Sequence, residues 1–386
     1  HRSGHSFPTR RSSDLDREDL VKPIRVLQVV TIMNRGGLET MLMNYYRRID
    51  RSRVQFDFMV HREEKGHYDE EIIKMGGRIF KMPKIKPGNY QLYFRKLEEF
   101  FQTHKEYKVV HSHINENSSF VLRAAKRHGV PCRIAHSHLS DLKLDFRFPF
   151  RLYARFSMKD YPNKYFACSK NAGKWLFSER VLNTNELVVL NNAVNVKEFK
   201  YDADTRKKIR EELDIGNELV IGHIGRFNKQ KNHDFLIDIF KAVSNVDQDA
   251  TLLLAGDGHL RRKIEDKVKK LGLQSKVKFL GVRNDVNNLM HAMDIFLFPS
   301  LFEGLPVVLV EAQAAGLNCI VADTITRESD ITGRVEFLSL YEAPETWAKE
   351  LLSSSYEHVD TEELISLNGY NTATMSKWLA DFYIEY

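Results

Sequence analysis

Short apolar runs alternate with stretches of helical periodicity along almost the whole chain, and this alternation constrains the fold more than any other feature. Ile24–Thr31 is a nearly uninterrupted apolar run, as expected for a strand that is buried on both faces. Gly36–Gly37 follows it. The next apolar residues are spaced as one face of a helix and comprise Leu38, Met41, Leu42 and Tyr45. A strand, a glycine turn and a helix in this order predict the opening of a doubly wound α/β domain.

The same alternation occurs twice, which predicts two domains. The first series ends near a predicted hinge at residues 191–196, and the second contains the strand Leu219–Ile224 and a helix from about Asn232. A chain of 386 residues is long enough for two domains of roughly 150–200 residues each. The predicted fold is α/β, with two facing doubly wound (Rossmann-like) domains and a ligand-binding cleft between the carboxyl ends of their strands.

The ends of the two series predict the domain boundaries. An N-terminal domain spans 24–195 and a C-terminal domain spans 196–365. The segment 366–386 is predicted to be a helix that packs back on the N-terminal domain. Residues 1–23 are set aside as an artefactual or disordered leader, because His5–Leu15 resembles a common sequencing-adapter oligonucleotide translated in one frame.

Composition and charge argue against several classes of protein. No run of about 18 apolar residues predicts a transmembrane helix, and no secretory signal is recognisable, so the predicted location is the cytoplasm. Three widely separated cysteines, Cys132, Cys168 and Cys319, favour buried free thiols over disulfides or zinc ligands. The net charge of +6 suits an anionic partner. However, the basic residues are dispersed and no recognition motif for nucleic acid is present, so no nucleic-acid partner is predicted.

A glycine and several cations occupy the segment Gly225–Asn232, between a predicted strand and a predicted helix. A departing diphosphate needs positive charge without bulk, together with free backbone N–H groups. Gly225 allows the backbone to approach the phosphates, Arg226 and Lys231 can neutralise their oxygens, and the helix N-terminus adds its dipole. The alternative is a solvated basic loop, since runs of charge are usually exposed.

Two carboxylates lie eight positions apart after the predicted strand Ile295–Phe298. Glu303 is predicted in the loop at the strand end, where a carboxylate can hold sugar hydroxyls. Glu311 is predicted inside the next helix, where it can hold the two ribose hydroxyls, as carboxylates do in dinucleotide folds. The alternative for Glu303 is a helix-capping acid. A structural role without a ligand is harder to assign to Glu311, because its neighbours are apolar and burying a carboxylate that has no partner costs free energy.

The N-terminal half offers a glycine turn and four histidines. Gly36–Gly37 allows an acceptor or a phosphate to approach closely, although a plain tight turn explains the pair equally well. His111 and His113 end one predicted strand, and His136 and His138 end the next, where strand ends meet the cleft. Metal ligation is the competing interpretation, but no cysteine or carboxylate cluster accompanies these histidines, so no metal site is predicted.

Together these motifs resemble retaining glycosyltransferase family 4, whose members have the GT-B fold of two facing Rossmann-like domains. The resemblance covers nearly the whole chain after Pro23. The matching segments are Gly36–Glu39, Ala135–His138, Leu190–Asn195, Leu254–Gly258 and Gly281–Ala312. The last of these is highly specific, since it contains Phe298-Pro299-Ser300-Leu301-Phe302-Glu303-Gly304-Leu305-Pro306 and then Glu311. The first two resemble the branch of the family that acts in exopolysaccharide biosynthesis.

The resemblance implies a role for each matching residue. Arg226 and Lys231 would bind the donor diphosphate and stabilise the leaving group, with Glu303 contacting the donor sugar. Glu311 would bind the ribose. The remaining donor-binding positions are Gly36, Gly37 at the donor phosphate or acceptor, Gly225, the backbone of Val282 and Arg283 at the base, Gly304, Leu305 and Pro306.

A histidine at the end of the strand Cys132–His138 would lie beside the donor sugar, with a slight preference for His138 over His136. The implied reaction is transfer of a sugar with retention of anomeric configuration, in which the leaving diphosphate takes the acceptor proton on the same face. Catalysis then consists of positioning and charge stabilisation. The resemblance implies no metal and no cofactor, since the nucleotide-sugar, expected to be a UDP-sugar, is a co-substrate.

The acceptor implied by the resemblance is a growing, lipid-linked glycan in exopolysaccharide or capsule synthesis. Leu142–Phe166 mixes aromatic and basic side chains, which suits peripheral contact with the anionic inner face of the plasma membrane. An ordinary helix with buried aromatic residues is the alternative. The side chains concerned are Phe146, Phe148, Phe150, Tyr153, Phe156, Lys143, Arg147, Arg151 and Arg155.

A protein of another class could share these features. A catalytically silent GT-B module would bind nucleotide or glycan and scaffold a complex. Retention of both cations and both carboxylates argues against it, and tight binding of uridine diphosphate without turnover on any acceptor would favour it.

Overall fold

The structure, a computed structural model, describes residues 22–138, 148–177, 181–182 and 186–386. Residues 1–21 of the predicted leader lie outside the described residues. Two parallel sheets, one in each half of the chain, confirm the predicted fold of two doubly wound α/β domains. In the described part of the chain no helix is both long enough and apolar enough to cross a bilayer. All three cysteines are free and buried, as expected from their spacing.

The first sheet has seven parallel strands in the order β3-β2-β1-β4-β5-β6-β7. Its strands are β1 Ile24–Val30, β2 Val54–Val60, β3 Ile79–Lys81, β4 Val109–Ser112, β5 Cys132–Ser137, β6 Lys164–Ala167 and β7 Leu187–Val189. Its helices are α1 Gly37–Arg48, α2 Asp69–Lys74, α3 Tyr90–Thr103, α4 Ser118–Arg127, α5 Phe148–Ser157 and α6 Lys170–Leu176. Every residue of β2 is buried, because helices cover both faces of the sheet and form two separate apolar cores.

The second sheet has six parallel strands in the order β10-β9-β8-β11-β12-β13. Its strands are β8 Val220–Ile224, β9 Thr251–Ala255, β10 Val277–Gly281, β11 Ile295–Phe298, β12 Asn318–Ala322 and β13 Val335–Leu338. Its helices are α7 Val196–Phe199, α8 Ala203–Glu212, α9 His233–Val246, α10 Arg261–Lys270, α11 Val286–Ala292, α12 Val307–Ala314, α13 Pro344–Ser353 and α14 Glu362–Leu367. The short edge strand β13 was not predicted.

The last helix, α15 (Thr372–Ile384), returns to the first sheet. Leu379, Ala380 and Tyr383 are buried in the core formed by β1, β2 and α1. The chain therefore crosses between the domains twice, and the two crossings are hydrogen bonded to each other. Val194 N–H donates to the carbonyl of Tyr370 at 2.8 Å, and Thr372 N–H donates to the carbonyl of Val194 at 2.9 Å.

Candidate active site between the two sheets

The carboxyl ends of the two sheets face each other, and several contacts join them. The Arg35 guanidinium, at the turn after β1, donates to the carbonyl of Arg283 at 3.0 Å. The Asn192 amide donates to the carbonyl of Leu305 at 2.6 Å. A side chain added at Gly304 would lie 3.7 Å from the carbonyl oxygen of His138. The candidate residues from the two halves of the chain therefore lie along one gap.

The loop after β8, which begins at Gly225, is held by the neighbouring loop after β9. Phe227 N–H donates to the carbonyl of Asp257 at 3.0 Å. Gly256 has a φ of +136°, and a Cβ there would lie 2.1 Å from the carbonyl oxygen of Gly225. Backbone packs against backbone at this point, which explains why the segment Leu254–Gly258 contains two glycines. Arg226 is exposed at the tip of the loop.

We expect Gly256→Ala to destabilise the chain by about 3 kcal/mol, since it combines a strained φ with a clash against backbone. Displacement of the loop that carries Arg226 should also weaken nucleotide binding. Gly272→Ala is the matched control, because Gly272 also has a positive φ but an added Cβ there meets nothing within 4 Å. It should cost about 1 kcal/mol and leave nucleotide affinity unchanged. Urea unfolding and calorimetric titration with UDP measure both effects, and equal losses in the two variants would contradict the prediction.

Lys231 and Glu303 form a largely buried ion pair in the candidate site. Lys231 Nζ lies 2.7 Å from Glu303 Oε1, and the two side chains are only 15% and 9% exposed. The same ammonium group lies 4.5 Å from the centre of the Phe298 ring, a favourable cation–π position. The two loops that carry the pair are also joined by their backbone, since Leu301 N–H donates to the carbonyl of Gln230 at 2.8 Å. Lys231 is thus held at the cleft with its charge already balanced.

Glu311 lies in the middle of α12, with buried apolar residues on both sides in the chain. Burial raises the pKa of its carboxyl group to about 7. A carboxyl group with such a pKa is poised between its neutral and ionised forms at neutral pH. Donated hydrogen bonds, such as those from two vicinal hydroxyls, favour the ionised form and lower the pKa again.

This raised pKa predicts that donor binding depends on pH. If ribose hydroxyls bind the ionised Glu311 carboxylate, affinity is fully developed above pH 7 and falls by about tenfold between pH 8 and pH 6 as the group takes up a proton. UDP-glucose is the suitable ligand, because its esterified diphosphate does not titrate in that interval. In Glu311→Gln the affinity should be lower and independent of pH. A wild-type affinity that stays constant from pH 6 to pH 8 would show that this carboxylate does not meet the ligand.

The glycine turn of the first domain begins α1. Gly36 is the N-cap of the helix and Gly37 is its first residue. A Cβ on Gly37 would meet no described atom within 4 Å, so the position is open to a ligand. Glu39, two residues further along, is partly buried. Its pKa is raised, mainly by this burial, although its backbone hydrogen bond and the nearby charge of Arg226 act to lower it. Glu39 therefore lies close to the predicted phosphate-binding cation of the opposite domain.

The structure separates the two candidate histidines. His136 is completely buried in β5 and its Nδ1 lies 3.0 Å from His111 Nε2. His138 follows the strand and is only partly buried. Its backbone N–H donates to Asn115 Oδ1 at 3.0 Å, and its carbonyl faces Gly304. Of the two, His138 is the one at the cleft.

In the segment predicted to hold the base, the side-chain charge of Arg283 is already paired within its own domain. The Arg283 guanidinium is paired with Asp285 at 2.6 Å and with Glu212 at 3.2 Å. Val282 is exposed. Leu305 is buried, and Pro306, also buried, is the N-cap of α12.

Part of the predicted membrane-facing surface lies on α5. Tyr153 and Phe156 are 58% and 68% exposed, and the Arg155 guanidinium lies 5.5 Å from the centre of the Trp175 ring. Lys143, Phe146 and Arg147 lie outside the described residues, as do the side chains of Phe150 and Arg151. Two large aromatic side chains are therefore exposed in this region.

Two facing doubly wound domains, with a cationic loop opposite a glycine turn across the gap, define the class of GT-B glycosyltransferases. The chain matches the family model "Glycosyltransferase Family 4" over residues 35–198 and the model "Glycosyl transferases group 1" over residues 205–345. Its fold is similar to that of Anabaena Alr3699/HepE, crystallised with UDP and glucose, with a TM-score of 0.75 and 18% identity over 93% of this chain and 99% of that one.

Three curated relatives extend these matches. The putative glycosyltransferase EpsF of Bacillus subtilis (strain 168) is 38% identical over 85% of this chain and 86% of that protein. The capsular polysaccharide biosynthesis glycosyltransferase CapH of Staphylococcus aureus is 26% identical, over 87% and 92% respectively. An Escherichia coli UDP-Gal:alpha-D-GlcNAc-diphosphoundecaprenol alpha-1,3-galactosyltransferase is 27% identical over 57% of this chain and 58% of that protein. The chain belongs to glycosyltransferase family 4, in its exopolysaccharide-type branch.

Sequence reasoning assigned no role to Arg35, Glu39 or Asn192, all of which lie at the cleft. Glu39 stood within a recognised motif, but nothing in one domain shows that it approaches Arg226 of the other. Asn192 also stood within a recognised motif, Leu190–Asn195, but its contact with the other domain could not be predicted. Arg35 carried no signal, and the partners of both residues are backbone carbonyls more than 100 positions away in the chain.

Proposed function

We propose that this glycosyltransferase transfers a sugar, with retention of configuration, from a UDP-sugar to a lipid-linked glycan in exopolysaccharide or capsule synthesis. The arrangement of the second domain carries the proposal. An exposed cation (Arg226), a cation already paired (Lys231) and two carboxylates (Glu303 and Glu311) surround the carboxyl ends of β8 and β11. The two cations suit a diphosphate, Glu303 suits the hydroxyls of a sugar, and Glu311 suits those of a ribose.

In the proposed reaction the bond between the anomeric carbon and the diphosphate oxygen breaks, and a bond to the acceptor oxygen forms on the same face of the sugar. Arg226 and Lys231 stabilise the negative charge that develops on the diphosphate. The leaving phosphate oxygen takes the acceptor proton, so no protein base is needed. When the diphosphate arrives, Lys231 can turn from Glu303 towards it, and Glu303 is released to accept hydrogen bonds from the sugar.

Names of relatives support the choice of substrates. The Escherichia coli relative uses UDP-galactose and an undecaprenol-linked acceptor, and the Staphylococcus aureus relative acts in capsular polysaccharide biosynthesis. We extend the UDP-sugar donor and the lipid-linked acceptor to this chain, and propose that it acts without a metal or other cofactor. The exposed aromatic residues of α5 would let it bind the cytoplasmic face of the plasma membrane, where such an acceptor lies.

The decisive experiment incubates the purified chain with a panel of UDP-sugars and synthetic polyprenyl-diphosphate glycans, with and without a chelator. We expect one pair to give a product that is heavier by one sugar, with the anomeric configuration of the donor and an unchanged rate in the chelator. Product with inverted configuration would overturn the retaining mechanism. Tight UDP binding without turnover on any acceptor would favour the silent scaffold module instead.

A further inference from the structure

Six buried or partly buried polar side chains form one continuous hydrogen-bonded chain beneath the cleft. They come from β1, from the ends of β4 and β5, and from the last helix, and comprise Gln28, His111, His113, His136, His138 and Tyr383. His138 is the member at the cleft. A row of polar groups in an apolar core is costly unless every contact is made, so the arrangement calls for an explanation.

The contacts run in order from the cleft into the core. His138 Nε2 lies 2.9 Å from His113 Nδ1, and His113 Nε2 lies 2.8 Å from Gln28 Oε1. The Gln28 amide nitrogen lies 3.3 Å from the Tyr383 hydroxyl, which lies 2.7 Å from His111 Nδ1. His111 Nε2 then lies 3.0 Å from His136 Nδ1. Gln28 and Tyr383 therefore join the His138–His113 pair to the His111–His136 pair.

Metal binding is the first alternative, since one ring nitrogen from each of His111, His113 and His136 lies within 4.8 Å of the others. The ring orientations oppose it. The His111 and His113 rings are stacked with centres 4.3 Å apart and planes 21° apart. Ligating lone pairs lie in the ring plane, so stacked rings do not point at one ion. The contacts are those of a hydrogen-bonded relay.

With the Gln28 amide oriented as in the structure, its Oε1 towards His113 and its nitrogen towards Tyr383, the relay sets which nitrogen of each ring carries the proton. Burial lowers the pKa of all four histidines, that of His138 to about 3 and the others well below their usual value. Each ring is therefore neutral and has one donor and one acceptor. Gln28 Oε1 can only accept, so His113 Nε2 donates to it and His113 Nδ1 accepts. His138 Nε2 must then carry a proton and donate.

The other arm follows the same logic. The Gln28 amide donates to the Tyr383 hydroxyl, which donates to His111 Nδ1, and His111 Nε2 donates to His136 Nδ1. The protonated His136 Nε2 has no hydrogen-bond partner among the residues the structure describes. Rotating the Gln28 amide by half a turn would reverse every bond. The orientation of this single amide thus sets the tautomer of a ring at the cleft.

We propose that Gln28 and Tyr383 are positioning residues that hold His138 in its Nε2–H tautomer, so that its Nδ1 accepts a hydrogen bond from a hydroxyl of the transferred sugar. This inference rests on the proposed function only for the identity of the ligand. It makes His138 an orienting acceptor rather than a general base, because a ring that is protonated only in acid takes up protons too weakly at neutral pH.

The test begins with the full chain labelled with ¹⁵N at histidine, using His138→Gln to assign the resonance. We expect wild-type His138 to show the Nε2–H tautomer without titration between pH 5 and pH 9. Wild-type His138 in the Nδ1–H tautomer, or titrating near neutrality, would overturn the proposal. This measurement needs no turnover, so it stands even if the proposed transferase reaction fails.

Variants then test the positioning role. Gln28→Met removes both amide contacts with little change of volume, and should give mixed His138 tautomers and a kcat about tenfold lower, the loss of roughly one neutral hydrogen bond. Gln28→Glu keeps an oxygen for His113 but adds a buried negative charge that favours a doubly protonated His113 ring. Its Nδ1–H would donate to His138 Nε2, so this variant should shift His138 to the Nδ1–H tautomer. Tyr383→Phe leaves the Gln28 amide free to turn and should also give mixed tautomers. UDP affinity should be unchanged in all three, because most of the proposed nucleotide-binding residues lie in the other domain and none of them belongs to the relay. A wild-type tautomer and kcat in both Gln28→Met and Tyr383→Phe would overturn the proposal.

Discussion

Lys231→Ala is expected to lower kcat by about 10²–10³-fold, the usual loss when one preorganised charge is removed from a transition state. Lys231 Nζ is held at the cleft by Glu303 and the Phe298 ring, so in the proposed reaction it exchanges the Glu303 carboxylate for the diphosphate. The variant also leaves the largely buried Glu303 carboxylate without its cation. The loss of this partner should cost about 1–3 kcal/mol of stability. Initial rates with saturating donor and acceptor measure the first effect, and thermal unfolding measures the second.

Lys229→Ala is the matched control, because Lys229 lies in the same loop, carries the same charge and is exposed. It should retain at least half of the wild-type kcat. If both variants lost activity equally, the loop would act through its total charge rather than through a defined contact. If Lys231→Ala kept the full rate, the diphosphate would bind elsewhere and the proposed site would be wrong.

Asp294→Ala is expected to be the most destabilising single substitution among those considered, at about 3–5 kcal/mol. One Asp294 oxygen lies 2.7 Å from the Arg210 guanidinium and accepts the Val220 N–H at 2.7 Å, and the other lies 2.5 Å from Arg206. Asp294 and Arg210 are only 9% and 8% exposed. Removing the carboxylate leaves Arg210 buried without its counter-charge, and removes the acceptor that links α8 to the Val220 N–H at the start of β8.

Thermal unfolding checks this value, and a loss of that size should lower Tm by roughly 10 °C in a domain of this length. Asp360→Ala is the control, since Asp360 pairs with Lys200 at 2.7 Å but both side chains are more than half exposed. An exposed pair contributes at most about 1 kcal/mol. A similar fall in Tm for both variants would contradict the role given to burial.

Local patterns predicted nearly all strands of this chain, for a physical reason. Strands of a doubly wound sheet are covered by helices on both faces, so their sequences are uninterrupted apolar runs, as in β9 and β11. Such runs are easily distinguished from the polar loops between them. The missed strand β13 is a four-residue edge strand with the sequence Val335-Glu336-Phe337-Leu338, and its Glu336 is exposed. An edge strand needs apolar residues on one face only, so its pattern is weaker.

A residue of the candidate site could be predicted where one short segment of sequence contains both that residue and the strand that positions it. Lys231, Glu303 and Glu311 each follow a recognisable strand, and their roles remain predictions that the experiments above test. The relay beneath His138 was not predictable in this way. It joins Gln28 to Tyr383 across 355 positions, and no local pattern in the chain indicates that a tyrosine of the last helix lies beside a glutamine of the first strand.

The return of α15 to the first sheet has a consequence for how the chain is made. A ribosome releases residues 24–190 long before residues 372–384, so the N-terminal domain emerges without part of its own core. Leu379, Ala380 and Tyr383 reach that core only after the whole second domain has been synthesised. The nascent first domain must therefore wait, with apolar surface uncovered, until residues 379–383 have left the exit tunnel. Loss of residues 372–384 would consequently damage the first domain.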